Sequence, residues 1–319
     1  MSDTVQQTIR RLALEAGFDF CGFTGTEPLN EDSERLISWL CDGFHGSMGW
    51  MERKPDVRTN PGLLVPEARS VIVLLTGYHT SSGYREGSLK IANYARYKVD
   101  YHDAIRQRLS QLSENINVLW PEGAIKSYTD TGPVAERALA ARAGLGWIGR
   151  NSCLIVPGGG SYYFISVIFS RLALVADLPV MADHCPPSCN KCLEKCPTEA
   201  LVAPGRLDAR KCIAYHTIEN KGEIDQAVSE KNNDWIFGCD ICQEVCPWNR
   251  RPRGARRPIG EVNSVLSQLD RAGWQSLSHN EFLEYFRKTP IHRTGYQRFM
   301  RNVEACRRTS GKAGEEKGC

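Results

Sequence analysis

No apolar run in this 319-residue chain approaches the roughly 18 residues a membrane-spanning helix needs, so no bilayer span is expected. The first residues, Met1-Ser-Asp-Thr-Val-Gln-Gln, hold no basic region followed by an apolar one and no twin-arginine pair. Export is therefore not expected, and a cytoplasmic location is. Net charge is only +3, too little for composition alone to announce a nucleic-acid binder. The chain also lacks internal repeats outside one cysteine motif. What it does have is ordinary for a globular protein, 41% hydrophobic and 24% charged residues, and it is long enough for two or three domains. The departure from the ordinary is cysteine, with 13 residues. In a reducing compartment clustered cysteines bind metal rather than form disulfides.

Eight of them fall between Cys185 and Cys246, in two knots. The first carries Cys185, Cys189, Cys192 and Cys196-Pro197. The second carries Cys239, Cys242 and Cys246-Pro247, with Cys212 between the knots. Each knot ends in Cys-Pro, as in bacterial two-cluster ferredoxins, where the Cys before Pro ligates the other cluster. That crossover predicts one 4Fe–4S cluster on Cys185, Cys189, Cys192 and Cys246, and a second on Cys196, Cys212, Cys239 and Cys242. Zinc ribbons also use Cys-x-x-Cys pairs, but zinc accounts for neither the Cys-Pro endings nor the eighth thiol. Cys185 stands one residue further from Cys189 than ferredoxin spacing asks, with Pro186-Pro187 in the gap. Cys21, Cys41, Cys153, Cys306 and Cys319 read as buried small residues or spare thiols.

Periodicity predicts helices over 3–17 (capped by Asp3), 31–41 and 101–118, and strands over 18–24, 70–76 and 125–128. Pro133 suits the first turn of a helix over 134–143. Residues 151–156, 158–160 and 162–169 read as a hairpin. The expected fold is α+β: a catalytic domain over 1–180, a two-cluster domain over 181–249, and a basic linker with short helices over 250–319. Phe282, Leu283, Tyr285 and Phe286 form one packing group there. The tail from Thr309 is polar and expected to be disordered.

Gly144-Leu-Gly146-Trp-Ile-Gly149 matches the dinucleotide fingerprint, but it follows a helix instead of a strand, so Gly144 reads as a helix C-cap. Asp130 ends a strand just before a helix. It reads either as an N-cap or, with its pKa raised by desolvation, as a proton donor.

Several stretches together resemble epoxyqueuosine reductases, cobalamin-dependent iron–sulfur enzymes of tRNA modification. They are Asn93 to His102, Thr129-Asp-Thr-Gly-Pro-Val134, Arg142 to Asn151, Leu207 to Tyr215, Thr217 to Glu219, Phe237 to Asn249 and His292 to Asn302. The resemblance runs from about residue 3 to 306. Some members carry a HEAT-like helical extension, and this chain stops before one, so a short form is expected.

The resemblance implies reduction of epoxyqueuosine to queuosine at the tRNA wobble position, with the epoxide oxygen leaving as water. It makes Asp130 the proton donor and places cobalamin over the N-terminal domain, reduced through the clusters. The residues expected to hold the corrinoid are Arg58, Tyr94, Ala95, Asp130, Thr131, Gly132, Pro133, Val134, Asn151, Leu154, Phe164, Tyr215, Thr217 and Ile218. No Asp-x-His-x-x-Gly motif is present to supply an axial His, so base-off binding without a protein ligand to cobalt is expected. Arg250, Arg251, Arg253, Arg256, Arg257, Lys221, His292, Arg293, Arg298 and Arg301 are candidate contacts to tRNA phosphates. A monomer is expected, served by an external electron donor that the sequence does not identify. Two other functions fit parts of the pattern. A reductive dehalogenase also joins cobalamin to two clusters, and a ferredoxin-like carrier needs only residues 181–249.

Overall fold

Alternation along the strand Ser70–Gly77 sorts the N-terminal half into two cores, because successive side chains point to opposite faces. All eight of its residues are buried. Ile72 and Leu74 join Ile9 and Leu12 of the helix Val5–Glu15, and Ile105, Leu109, Leu112 and Ile116 of the helix Tyr101–Leu119. Val71, Val73 and Leu75 join Leu139, Ala140 and Ala143 around the helix Glu136–Arg142. A sheet covered on both faces needs a continuous apolar strand at its centre, and Ser-Val-Ile-Val-Leu-Leu-Thr-Gly supplies one.

The computed structural model describes residues 4–81 and 85–312. The four strands run in the order Phe20–Thr24, Ser70–Gly77, Tyr163–Ser170, Ala124–Thr129, antiparallel throughout. The fold is thus α+β. Thr4 caps the first helix and shares a capping box with Gln7; the expected cap Asp3 lies outside the described residues. The predicted hairpin does not form. Leu154–Ile155 pairs instead with Trp147–Ile148, and Tyr163–Ser170 enters the main sheet between two strands distant in sequence. Gly144 has φ +72° and ends the helix Glu136–Arg142, so the glycine fingerprint lacks the strand–helix setting that phosphate binding needs.

A third core binds the cysteine region to the C-terminal segment. Ile236 and Phe237 pack with Leu89 and Ile91, and with Trp274, Phe282, Phe286 and Phe299. The expected packing group is found, with Phe282 and Phe286 buried and Leu283 and Tyr285 beside them. The last helix, Tyr296–Lys312, is long, where short helices were expected, and it carries through Thr309 into the tail. The rest of that tail lies outside the described residues. Residues 250–262 are irregular and mostly exposed, as a linker should be, yet they are strapped to the N-terminal sheet. Arg256 N–H donates to Asp19, Arg108 donates to the carbonyls of Arg257 and Pro258, and Ile259 is buried in the first core. Among the described residues no helix is long and apolar enough to cross a membrane.

Candidate active site

The two knots repeat one backbone design. In each, a four-residue helix follows the Cys-x-x turn, Lys191–Glu194 in the first and Ile241–Glu244 in the second. Glu194 N–H reaches Asn190 O (2.9 Å), and Glu244 N–H reaches Asp240 O (2.8 Å). Cys185, Cys189, Cys192 and Cys246 line one cavity together, with Arg150, Lys191 and Trp248 on its wall. The extra residue after Cys185 is absorbed by a turn in which Cys189 N–H donates to Pro186 O (2.8 Å). The Trp147 indole N–H is buried against the Cys185 thiol, whose pKa it pulls down against the raising effect of burial.

The other four thiols form a second group. Burial, then Cys212 and Cys196 among its neighbours, pushes Cys239 up, while Cys212 in turn feels Cys196. Cys242 is also pushed well up, by burial and by Cys153, Cys239 and Cys212. Thiols this deeply placed become thiolates only beside a cation.

A second cavity, of about 280 Å³, opens between the sheet and the second knot. Asp130, Glu136, Leu154, Tyr163, Phe164 and Gln243 are on its wall. Its floor is aromatic: Phe164 stacks on Tyr101 at 4.2 Å and 7°, with Tyr78 at 4.6 Å and Tyr94 edge-on. Tyr163 Oη and Ser152 Oγ are buried there without partners. Gln243 ties the cavity to the knot by accepting from Ser161 Oγ (2.9 Å), and Asn151 Nδ2 donates to the Cys242 carbonyl (3.3 Å). Cys153, read from sequence as a spare thiol, lines this cavity next to Cys242.

Asp130 is not the N-cap of the following helix. That helix starts at Glu136, behind Ala135. Asp130 has φ +59°, and Thr131 N–H donates back to Thr129 O (2.7 Å), a tight and strained three-residue turn. Glu136 Oε1 holds the turn by accepting from Asp130 N–H (2.7 Å). The side chain of Asp130 is 62% exposed to the cavity mouth. Tyr101 donates its hydroxyl proton to Asp130 Oδ2. His102 Nε2 lies 3.3 Å from the same oxygen, while His102 Nδ1 pairs with Asp100 Oδ1 at 2.9 Å. Arg293 completes the chain by donating to Asp100 Oδ2 (2.7 Å).

The electrostatics reverse one expectation. Burial pushes the Asp130 carboxyl up, but the His102 ring and the Tyr101 hydroxyl outweigh it and hold Asp130 below its ordinary value. Burial pulls His102 down, and Asp100 and Asp130 more than restore it, so its pKa is raised. The neighbouring carboxyl that burial does raise is Glu136, to about 8, with help from the charge on Asp130. In the ligand-free cavity Glu136 therefore favours its protonated form beside an Asp130 that favours its ionised one.

Of the residues expected to hold a corrinoid, Asp130, Leu154 and Phe164 line this cavity and Tyr94 lies beneath its aromatic floor. Thr131, Gly132 and Pro133 continue the Asp130 turn, and Val134 is buried behind it. Arg58 sits over the Trp50 ring, and its carbonyl accepts from Ala135 N–H. Asn151 is committed to Cys242 and Cys153. Ala95 is 1% exposed and Thr217 2% exposed, with the Thr217 hydroxyl spent on Gly238 N–H and Ile213 O. Ile218 packs on the third core. The Tyr215 hydroxyl is bound to Ser47. Three phosphate candidates are also occupied, among them Arg298, which donates to the carbonyls of Thr294 and Arg293. Arg293 belongs to the Asp130 chain, and Arg301 donates to the carbonyls of His216, Asn220 and Gly222. Sequence reasoning missed Asp100, His102, Glu136 and Gln243. The signal was present only in the Asp-Tyr-His run at 100–102.

Residues 58–131 match the family model described as epoxyqueuosine reductase QueG, DUF1730, and residues 184–249 match a 4Fe-4S double cluster binding domain. The epoxyqueuosine reductase of Cellulophaga algicola is 40% identical over 296 residues, which are 93% of this chain and 96% of that one. This chain belongs to the epoxyqueuosine reductase family. It is accordingly an oxidoreductase. The Xanthomonas campestris epoxyqueuosine reductase is also 40% identical, over 92% of this chain and 84% of its own. Among solved structures, an epoxyqueuosine reductase with a tRNA-Tyr epoxyqueuosine-modified tRNA stem loop superposes with a TM-score of 0.86. It is 29% identical, covering 97% of this chain and 82% of that one. The Bacillus subtilis epoxyqueuosine reductase, solved with its catalytic aspartate loop swung out of the active site, gives 0.86 at 27% identity, over 97% and 82%.

Proposed function

We propose that this chain reduces epoxyqueuosine in tRNA to queuosine, with a corrinoid in the Asp130 cavity and electrons delivered through two 4Fe–4S clusters. The observation that carries this reading is the wall shared between the second cysteine knot and the cavity, where Gln243 of the knot and Cys153 line the same space as Asp130. Two electrons and two protons break both C–O bonds of the epoxide, release its oxygen as water and leave a carbon–carbon double bond.

We assign the cysteines to the clusters by the crossover rule, and the cavity shared by Cys246 and the first knot supports that assignment. Cys185, Cys189, Cys192 and Cys246 would hold one cluster, with the Trp147 N–H as a donor to the Cys185 sulfur. Cys196, Cys212, Cys239 and Cys242 would hold the other. The cavity suits a corrinoid because its floor is aromatic, and because Tyr163 Oη and Ser152 Oγ are without protein partners among the described residues and could pair with amide side chains on the ring. Bound there, the reduced corrinoid supplies a strong nucleophile and the clusters supply single electrons. His102 is taken up by Asp100 and Asp130, so its ring would position these carboxylates and would not be free to hold a bound corrinoid.

The chain's own residues manage the protons. Asp100 Oδ1 and Arg293 Nη1 each lie 2.9 Å from His102 Nδ1 and fix the ring, which brings Nε2 to 3.3 Å from Asp130 Oδ2. Asp130, which favours its ionised form in the empty cavity, takes up a proton from His102 and relays it to the epoxide oxygen as the C–O bond opens. Glu136 keeps a second proton in the same cavity. The exposed arginines at 250–257 face solvent beside the sheet and are suited to the phosphates of an anticodon stem–loop. A tRNA substrate also agrees with a cytoplasmic, monomeric enzyme.

The test is anaerobic turnover of epoxyqueuosine-containing tRNA with a strong reductant and added cobalamin, read by nucleoside mass spectrometry. Queuosine should accumulate. Protein loaded with iron, sulfide and corrinoid that yields none would overturn the reading.

A further inference from the structure

A third cavity, of about 400 Å³, lies between the loop at 47–53 and the turn at 219–222 and shares no wall residue with the Asp130 cavity. Trp50, Arg53, Glu219, Asn220 and Lys221 are on its wall. That wall is built to keep its shape. The loop bearing Trp50 is pinned where the Tyr215 hydroxyl meets Ser47 N and Oγ, each at 2.8 Å. Gly46 lies so close that a Cβ there would sit 2.6 Å from the same hydroxyl. Asn220 shapes the rim, its amide donating to Glu223 O and accepting from Gly222 N–H.

The groups left over have matching chemistry. Trp50 is 44% exposed, with the Arg58 guanidinium 5.4 Å from its ring, so one aromatic face remains open. The Glu219 carboxylate forms no hydrogen bond or ion pair with a described residue, and neither do Arg53 and Lys221. Glu219 is near the reaction centre: partial burial and then the charge of Asp130 push it up, against Arg298, Arg293 and Lys221. An aromatic platform, an uncommitted carboxylate and two flanking cations are what a single extruded nucleotide needs. The base stacks, a carboxylate accepts from adjacent N–H groups, and cations meet the phosphates.

We infer that this cavity takes the guanine-type base of the substrate nucleotide, with Glu219 accepting from its N1–H and exocyclic N2–H. The inference rests on the tRNA reading above and names the part of the substrate that this pocket selects. A carboxylate fits that edge and rejects adenine, which presents an acceptor at N1 and no 2-amino group. The modified side chain, carried on the opposite side of the base, is then directed toward Asp130.

The test is equilibrium binding of the intact, iron-loaded chain to labelled anticodon stem–loops carrying guanosine, inosine or adenosine at the wobble position. Wild type should prefer guanosine to inosine to adenosine, with about a tenfold or larger gap between the first and last. Glu219→Ala should bring the three within about twofold of one another while keeping the adenosine affinity, and Glu219→Gln should fall between. Trp50→Ala should weaken all three by a similar factor. Iron content and visible spectrum report folding. A Glu219→Ala variant that keeps the guanosine preference, or a wild type that has none, overturns the pocket assignment and leaves the reductase reading standing. No stem–loop binding at all overturns both.

Discussion

Replacing Cys192 and Cys246 together, one from each knot, should cost one cluster and spare the other. Replacing Cys192 and Cys196, which are neighbours in one knot, should cost both. The reasoning comes from the grouping of the thiols: Cys246 shares a cavity with the first knot, whereas Cys196 stands with Cys212 and Cys239. Serine keeps the size of each side chain and limits collapse where the two short knot helices pack on each other. Full occupancy is about eight irons and eight sulfides per chain, so the first pair should retain about four of each and the second close to none. Anaerobic iron and sulfide analysis gives the count, and electron paramagnetic resonance of the reduced protein gives the number of distinct signals. About four irons retained by the Cys192/Cys196 pair, together with near-total loss in the Cys192/Cys246 pair, would refute the crossover and assign each knot its own cluster.

Asp130→Asn keeps a residue that tolerates the left-handed backbone at φ +59° while removing the acid. Turnover should fall by about 10²–10⁴-fold with clusters and corrinoid retained, and unchanged turnover would remove Asp130 from the mechanism. Glu136→Gln should flatten a pH dependence of stability. A carboxyl raised from 4.5 to about 8 on folding contributes stability that is complete below about 4.5 and is lost as pH rises through about 8. The effect is at most about 5 kcal/mol and is smaller where water enters the cavity. Melting temperatures of wild type and variant should therefore diverge in favour of the variant between pH 5 and 9, and parallel curves would contradict the assignment. Arg301→Ala should lower the melting temperature, by about 1–3 kcal/mol of stability, because three backbone carbonyls lose their donor. It should leave the salt dependence of stem–loop binding unchanged. A flatter salt slope would return Arg301 to the phosphate contacts.

The elements that could be read from sequence are those with a strong local pattern. Ser70–Gly77 is apolar throughout, Tyr101–Leu119 has a clear helical stripe, and Gly144 marks a helix end. The cysteine knots were legible because ligand spacing is itself local. What escaped was decided by distant partners. Tyr163–Ser170 looks like half of a hairpin until Ser70–Gly77 and Ala124–Thr129 claim its two edges. Lys90–Ile91 is too short for any period to show, yet it pairs in parallel with Trp235–Phe237. The Asp130 site follows the same rule. Its aspartate was legible as a strand end, but the carboxylate is set by His102 and Tyr101 from another helix and by Arg293 from the C-terminal segment. A charge run shows no partners, so Arg293 and Arg301 read as surface when they are structural.

Electron counting tests the central claim most directly. Two one-electron clusters hold the two electrons that one epoxide needs. Chain loaded with both clusters and cobalamin, reduced, freed of reductant and mixed anaerobically with excess epoxyqueuosine tRNA should yield between about one and two queuosines per chain, the corrinoid adding up to two electrons to the clusters' two, as the cluster absorbance returns to its oxidised form. Queuosine that appears while the clusters stay reduced, or clusters that reoxidise with no queuosine formed, would contradict it.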